Sequence, residues 1–154
     1  MTPFRAYVAG PVLRPALADG RQFPVATLYD KLGATAGALG VQITLPVYSE
    51  RLDRLSAPAF AEEIRKRIRK ADAMIAVIIR PENMYDLSAY SIAVEAHEAA
   101  LAGKPIAFLA ESQDLVPRLV AALDDRNQKY AFADLETLDS VFEDLAKEIE
   151  RRAR

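Results

Sequence analysis

The side chains with the clearest potential for chemistry lie in residues 80–103, which read RPENMYDLSAYSIAVEAHEAALAG. A polar loop carrying Asp86 leads into an alanine-rich helix that we predict to begin at Ser91. Glu95 then falls in the first turn, where free backbone N–H groups and the helix dipole favour the ionised carboxylate. An ionised, positioned carboxylate can attack the C1 carbon of a sugar, as retaining glycosidases do.

Two neighbours of Glu95 offer other interpretations of this helix. Glu98 is a second carboxylate three positions on, and it lies one turn further from the predicted sheet edge. His97 is the single histidine of the chain, and its position predicts a surface or interface residue rather than a base. The ordinary alternative for Glu95 itself is an exposed helix residue without a chemical role.

Several other chemistries are excluded or disfavoured by the residues available. The chain has no cysteine, which excludes thiol catalysis, disulfides and cysteine-ligated metal, and one histidine excludes a histidine-rich metal site. No GxGxxG follows the first predicted strand, and GxxxxGK[ST], HExxH and GxSxG are missing throughout. We therefore expect carboxylate chemistry that needs neither a metal nor an organic cofactor.

The composition is that of an ordinary globular protein. The 154 residues are 51% hydrophobic and 27% charged, and we expect residues 1–154 to form one domain around one core. A formal charge of −2 gives no reason to expect nucleic acid or a membrane surface as a partner. No apolar run reaches the ~18 residues of a membrane span, and the N-terminus lacks the apolar core of a signal peptide. These features predict a soluble, cytoplasmic protein.

Short apolar runs alternate with helical patterns along the chain. The predicted strands are residues 5–9, 41–45, 73–79, 105–110 and 130–132. The predicted helices are residues 23–39, 57–71 with Ser56 as N-cap, 91–102, 114–123 and 135–149. Almost wholly apolar strands between helices predict an α/β fold: a doubly wound parallel five-stranded sheet of order 2-1-3-4-5, with helices on both faces. The charged side of the second helix, residues 62–70, is expected to coat the surface.

In such a sheet, ligands bind beyond the carboxyl ends of the strands, where the winding reverses between strands one and three. The loops at that point are residues 10–22 and 80–90. Tyr7 stands near the end of strand one, and the Gly10–Pro11 turn allows backbone to approach a ligand closely. The sequence therefore predicts a site formed by these two loops and the helix of Glu95.

Three motifs resemble the nucleoside 2-deoxyribosyltransferase-like superfamily, which includes nucleoside monophosphate N-glycosidases. They are YVAGP at 7–11, IRKADAMIAV at 68–77 and SxxxEAxxAxxGKPI at 91–106, and their order and spacing carry the resemblance over residues 5–110. The resemblance implies an enzyme that cleaves or transfers N-glycosidic bonds, assembled as a homo-oligomer whose neighbours complete the pocket. It also implies that Glu95 is the catalytic glutamate and that the Tyr7 hydroxyl orients it.

The chain departs from the family pattern just before Glu95. Many members have Asp-x-Gly-Thr leading to the glutamate, whereas here Ser91 and Ile92 stand in the Gly-Thr places and Ala89 in that of the aspartate. Asp86 lies three residues too early, and either it or solvent would protonate the leaving base. Two alternatives therefore stay open: a non-catalytic nucleotide-sensing module, and a glutamate-dependent NAD glycohydrolase of the kind found in TIR-like domains.

The substrate is expected to be a small molecule, with a nucleotide favoured over a free nucleoside. Ser88 and Ser91 near a helix N-terminus would suit a 5′-phosphate. Arginines in loops at the same edge would add charge-assisted contacts, and these are Arg14, Arg21, Arg51 and Arg54. Aromatic side chains could stack on the base, and these are Tyr48, Tyr85 and Tyr90.

Overall fold

The computed structural model describes residues 1–12, 23–46, 49–80, 88–116, 127–131 and 138–154. Strands and helices alternate through these residues. The strands are β1 (Arg5–Ala9), β2 (Gln42–Thr44), β3 (Ala73–Ile78), β4 (Ile106–Ala110) and β5 (Gln128–Ala131). The helices are α1 (Phe23–Ala38), α2 (Glu50–Asp53), α3 (Ala57–Lys70), α4 (Ser88–Leu101) and α5 (Asp139–Arg152).

The five strands form one parallel sheet in the order β2-β1-β3-β4-β5, as predicted. In the register of the sheet Tyr7 of β1 lies beside Met74 of β3, and Ala9 lies beside Ala76. The carboxyl ends of β1 and β3 therefore meet at one edge, with β2 to one side and β4 to the other. This edge is the switch point at which the sequence predicts a site.

Helices cover both faces of the sheet, which confirms the predicted layers. On one face α1 and α5 pack through side chains such as Leu32 and Phe142, both fully buried. On the other face α3 and α4 pack through Ile68 and Ala96. All six residues of β3 are buried, because a parallel strand covered on both faces has no solvent side.

Two predicted helix boundaries are confirmed by side-chain and backbone geometry. The Ser56 hydroxyl accepts a hydrogen bond from the Ala59 N–H at 3.4 Å and caps α3, with Pro58 in the first turn. Gly40, predicted to stop the first helix, has a φ of 71°, a left-handed conformation that glycine adopts without a steric cost. α1 ends just before it.

The start of α4 differs from the prediction, and the difference bears on Glu95. The helix begins at Ser88 rather than Ser91, so Glu95 stands two turns inside it. Dipole effects are confined to the first turn. The prediction that a helix N-terminus stabilises the ionised Glu95 carboxylate is therefore wrong.

The other differences are smaller. α2 lies in a segment predicted as loop, and the Ser49 hydroxyl caps it by accepting from the Leu52 N–H at 3.4 Å. β5 begins at Gln128, two residues before the predicted strand. A 3₁₀ turn spans Gln113–Leu115, and residues 117–123 of the predicted helix 114–123 lie outside the described residues. Within the described ranges no helix is long and apolar enough to cross a membrane.

Candidate active site

A tyrosine and a glutamate meet at the switch point. The Tyr7 hydroxyl donates a hydrogen bond to Oε2 of Glu95 across 2.5 Å. Tyr7 projects from β1 towards the face covered by α3 and α4, and it is only 6% exposed. Packing α4 against β1 and β3 thus joins two side chains that are 88 positions apart in the chain. A hydrogen bond of this length to a carboxylate is of the strong, charge-assisted kind.

Burial and the hydrogen bond act on Glu95 in opposite directions. Burial raises the pKa of the Glu95 carboxyl above its ordinary value, and the bond from Tyr7 offsets part of that rise. Burial also raises the pKa of the Tyr7 hydroxyl, and the nearby Glu95 charge raises it further. Tyr7 therefore keeps its proton and serves as a donor to the carboxylate.

The pair borders a cleft of about 200 Å³ between the end of β1 and helices α2 and α3. Apolar side chains form much of the lining, together with Gly10 of the predicted site. Two charged residues share the cleft with Glu95, namely Asp53 from α2 and Arg67 from α3. The remaining lining residues are Val12, Leu45, Pro46, Ser49, Leu52, Phe60 and Ile64.

Arg67 was expected to coat the surface of its helix, and that prediction is wrong. Its side chain is 31% exposed and lines the cleft. Its charge acts on the buried site, since it lowers the pKa of the Tyr7 hydroxyl against the larger effects that raise it. The spacing contained a signal: Phe60, Ile64 and Arg67 recur at four and three positions, which places all three on one face of a helix.

Glu63 ties α2 to α3 beside the cleft. One of its oxygens, Oε1, accepts from Arg67 at 3.2 Å and from Arg51 at 3.3 Å. The hydrogen bond from Arg67 lowers the pKa of the Glu63 carboxyl, and Arg51 adds to the effect. Arg54, the C-cap residue of α2, pairs with Glu50. Arg51 and Arg54, expected to suit a phosphate, are thus engaged in ion pairs.

The Gly10–Pro11 turn lies against Tyr29, a residue that no sequence motif indicated. The Tyr29 hydroxyl donates to the Pro11 carbonyl oxygen at 2.9 Å. A Cβ at position 10 would collide with the Tyr29 hydroxyl and lie 3.0 Å from Cβ of Val77. Glycine is therefore required at position 10 by a close approach, since its φ is not in the left-handed region.

A second, mainly apolar groove of about 350 Å³ adjoins the cleft between α3 and α4. Ser91 lines this groove rather than the cleft, next to Phe60, Val94 and Glu95. Glu98 lines it too, and its Oε1 accepts from Arg65 Nε at 3.0 Å on the outer side of the helices. His97 is exposed, as predicted.

Several predicted site residues cannot be placed. Asp86, Arg14 and Arg21 lie outside the described residues, and so do the side chains of Ser88 and Tyr90. Their proposed roles stay predictions. In the part of the chain that the structure describes, no group of three or more histidine, aspartate or glutamate side chains is arranged to hold a metal ion.

Neither a protein-family model nor a curated protein matches the sequence. Solved structures do match. A CMP N-glycosidase from Clostridium botulinum aligns with a TM-score of 0.53 at 15% identity, over 83% of this chain and 86% of that chain. A 2-deoxyribosyltransferase from Leishmania mexicana aligns with a TM-score of 0.51 at 19% identity, over 72% and 67%. A 2-deoxyribosyltransferase from Bacillus psychrosaccharolyticus aligns at 19% identity over 86% and 96%, with a TM-score of 0.49.

The chain therefore has the fold found in the Clostridium N-glycosidase and the Leishmania deoxyribosyltransferase. The resemblance inferred from the sequence motifs is confirmed at the level of the fold. At these identities the likeness extends to the fold alone, because one fold hosts many functions. The chemical roles of individual residues rest on the geometry of the site.

Proposed function

We propose that the protein cleaves or transfers the N-glycosidic bond of a nucleotide or nucleoside, with Glu95 as nucleophile. The observation that carries this proposal is the 2.5 Å hydrogen bond from Tyr7 to Glu95 beside an open cleft at the switch point. The fold shared with an N-glycosidase and a deoxyribosyltransferase supports it.

The reaction is a two-step displacement at C1′. A Glu95 oxygen forms a bond to C1′ while the C1′–N bond breaks, and the electron pair leaves with the base, which takes up a proton. Water or a second base then attacks C1′, and the carboxylate of Glu95 is released. Because Tyr7 bonds to Oε2, it leaves Oε1 as the attacking atom.

A product panel tests the proposal. The purified protein is incubated with nucleosides, nucleoside monophosphates and NAD, and free base is measured by chromatography. Base release from a nucleoside or its monophosphate that disappears in Glu95→Gln supports it. Release from NAD alone would identify an NAD glycohydrolase instead. Tight nucleotide binding without release, unchanged in Glu95→Gln, would identify a sensing module and contradict the proposal.

The leaving base needs a proton, and the candidate sources are two aspartates and solvent. Asp86 is the residue expected from the sequence, and Asp53 lines the cleft with Glu95. We expect Asp53→Asn to lower kcat about a hundredfold for an ordinary base, the low end of general-acid effects. An N7-methylated purine nucleoside, whose base leaves without a proton, should be affected much less. If Asp86→Asn alone gives this pattern, Asp86 is the donor.

Hydrolysis of a 5′-monophosphate is the favoured form of the reaction. Among the described residues that line the cleft, Arg67 carries the positive charge, and Glu63 holds its Nε so that the terminal nitrogens can meet an anion. Arg14, Arg21 and Ser88 remain phosphate ligands proposed from the sequence. Ser91, which lines the adjoining groove, is one only where the phosphate extends into that groove. Water then acts as the acceptor in the second step.

Removing the Arg67 charge tests the monophosphate preference. We expect Arg67→Gln to raise KM for a nucleoside monophosphate roughly 10- to 100-fold, the equivalent of a charge-assisted hydrogen bond. KM for the matching nucleoside should change less than about twofold. Arg69→Gln is the control, because Arg69 lies on the same helix in an exposed ion pair with Glu62. Equal losses on nucleoside and monophosphate would show that Arg67 does not bind the phosphate.

We also propose that the protein forms a homo-oligomer, as the family resemblance implies. Phe60, Val94 and Leu101 are large apolar side chains with 44%, 61% and 72% exposure on or beside α3 and α4. Contact with another copy of the chain would cover them and would adjoin the cleft through Phe60. Sedimentation velocity measures the state directly, and a monomer at the concentrations used for assay would refute it.

A further inference from the structure

A buried tyrosine supports the cleft from the opposite side of the sheet. Tyr29 belongs to α1 and packs among Val8, Leu32 and Val77 in the core on that face. It is 4% exposed, and its hydroxyl reaches over the carboxyl end of β1 to the Pro11 carbonyl. Burial raises the pKa of this hydroxyl, and the charge of Glu95 raises it further. The group therefore stays protonated and lies within the electric field of the proposed nucleophile.

Gly10 and Tyr29 complement each other in shape. The Tyr29 hydroxyl occupies the volume into which any side chain at position 10 would project. Tyr29 thus constrains the turn in two ways: its hydroxyl donates a hydrogen bond to the Pro11 carbonyl, and it fills the space that a Cβ at position 10 would need. Both constraints act next to the cleft, since Gly10 and Val12 line it.

From this geometry we propose that Tyr29 is a positioning residue, which holds the Gly10–Pro11 turn at a set distance from the Tyr7–Glu95 pair. The proposal rests on the function proposed above and on the sequence prediction that this turn, whose Gly10 lines the cleft, approaches the substrate. A turn that is already ordered loses little conformational entropy when a ligand binds, whereas a released turn must be ordered at the expense of affinity. Tyr29 touches no reacting atom, so its loss acts on KM rather than kcat.

Replacing Tyr29 with phenylalanine removes only the hydroxyl and keeps the ring in the core. We expect KM to rise about fivefold, the equivalent of one ordinary hydrogen bond, with kcat within about twofold of wild type. Tyr130→Phe is the matched control, because the Tyr130 hydroxyl also makes one hydrogen bond, to Asp144 at 2.8 Å, away from the cleft. A KM that rises equally in the control, or a loss confined to kcat, would overturn the proposal.

A double-mutant cycle with Gly10→Ala provides a second, sharper readout. In the wild-type background the added methyl group meets the Tyr29 hydroxyl, and we expect KM to rise at least tenfold. In Tyr29→Phe the hydroxyl is gone while the contacts with the ring carbon Cζ at 3.4 Å and with Val77 remain, so the same substitution should raise KM by only a few fold. Partial rescue of one variant by the other is not expected from two independent losses of stability. Effects that multiply independently would overturn the proposal.

Amide hydrogen exchange separates failure of this inference from failure of the proposed function. If the wild type releases no base from any nucleotide or nucleoside, the function has failed, and the state of the turn is still measurable. Exchange at the Gly10 and Val12 amides should be at least several-fold faster in Tyr29→Phe than in wild type or Tyr130→Phe. Unchanged exchange at both amides would overturn the role of Tyr29, whatever the activity.

Discussion

Replacing Glu95 with glutamine should abolish base release and, at neutral pH, make the folded protein more stable. Glutamine keeps the shape of the side chain but cannot form the bond to C1′, so we expect kcat/KM to fall at least about a thousandfold. The gain in stability follows from burial, which makes the ionised carboxylate unfavourable in the folded state. Activity and stability would thus change in opposite directions, as expected at a site that carries a functional cost.

The pH dependence of that stability gain has a definite sign. The pKa of Glu95 is higher in the folded than in the unfolded chain, so the folded state binds the proton more tightly. Its contribution to stability is complete below the unfolded value of about 4.3 and is lost as pH rises through the folded pKa. Urea unfolding should therefore show Glu95→Gln above wild type at pH 7 and close to it at pH 4.

Glu98→Gln is the control for this substitution. Glu98 stands on the same helix and pairs with Arg65 at 3.0 Å, and its side chain is 30% exposed. We expect activity within about twofold of wild type and no stabilisation at pH 7, because a partly exposed ion pair contributes little either way. Loss of activity in Glu98→Gln but not in Glu95→Gln would reassign the nucleophile.

Replacing Tyr7 with phenylalanine should move the acid limb of the pH–rate profile to higher pH. In the proposed mechanism Glu95 acts in its ionised form, and the Tyr7 hydrogen bond is the interaction that lowers its pKa. Without that bond burial acts alone, the pKa of Glu95 rises further, and in a larger share of the protein molecules Glu95 is protonated near neutrality. We expect kcat/KM at pH 7 to fall about 10- to 100-fold, the range for a hydrogen bond to a charged group.

The whole profile of kcat/KM against pH distinguishes this mechanism from a general loss of structure. At high pH, where Glu95 is ionised in both proteins, part of the lost activity should return in Tyr7→Phe. Tyr130→Phe again serves as the control, and its acid limb should coincide with that of wild type. A uniform loss at every pH, with an unmoved limb, would show that Tyr7 supports the fold and not the ionisation of Glu95.

Local sequence patterns were sufficient to predict the layers of this fold. Apolar strands such as residues 73–79 and 105–110, separated by helical patterns, lead to a parallel sheet whatever the details of packing. Ser56 as a cap and Gly40 as a helix stop follow from backbone hydrogen bonding and from φ. The two motifs that contain Tyr7 and Glu95 fall at the switch point because the strand order requires it.

The details of the site depended on contacts between distant segments. Because α4 begins at Ser88, Glu95 lies beyond the reach of the helix dipole. Its pKa is governed mainly by burial, which arises from the packing of α4 against β1 and β3. Arg67 is one of seven charged residues on α3, and the charge pattern does not distinguish it from the others. It lines the cleft because α2 packs beside that side of α3.

The sequence by itself determined the order of the strands and the edge of the sheet at which Tyr7 and Glu95 meet, and it predicts carboxylate chemistry there. The tertiary structure decided which charge enters the cleft, which direction the pKa of Glu95 takes, and that Tyr29 fills the space beside Gly10. The physical reason is the sequence separation over which the two kinds of interaction act. Strand and helix patterns arise from neighbours along the chain, whereas desolvation, electric fields and excluded volume depend on atoms brought together from elements far apart in sequence.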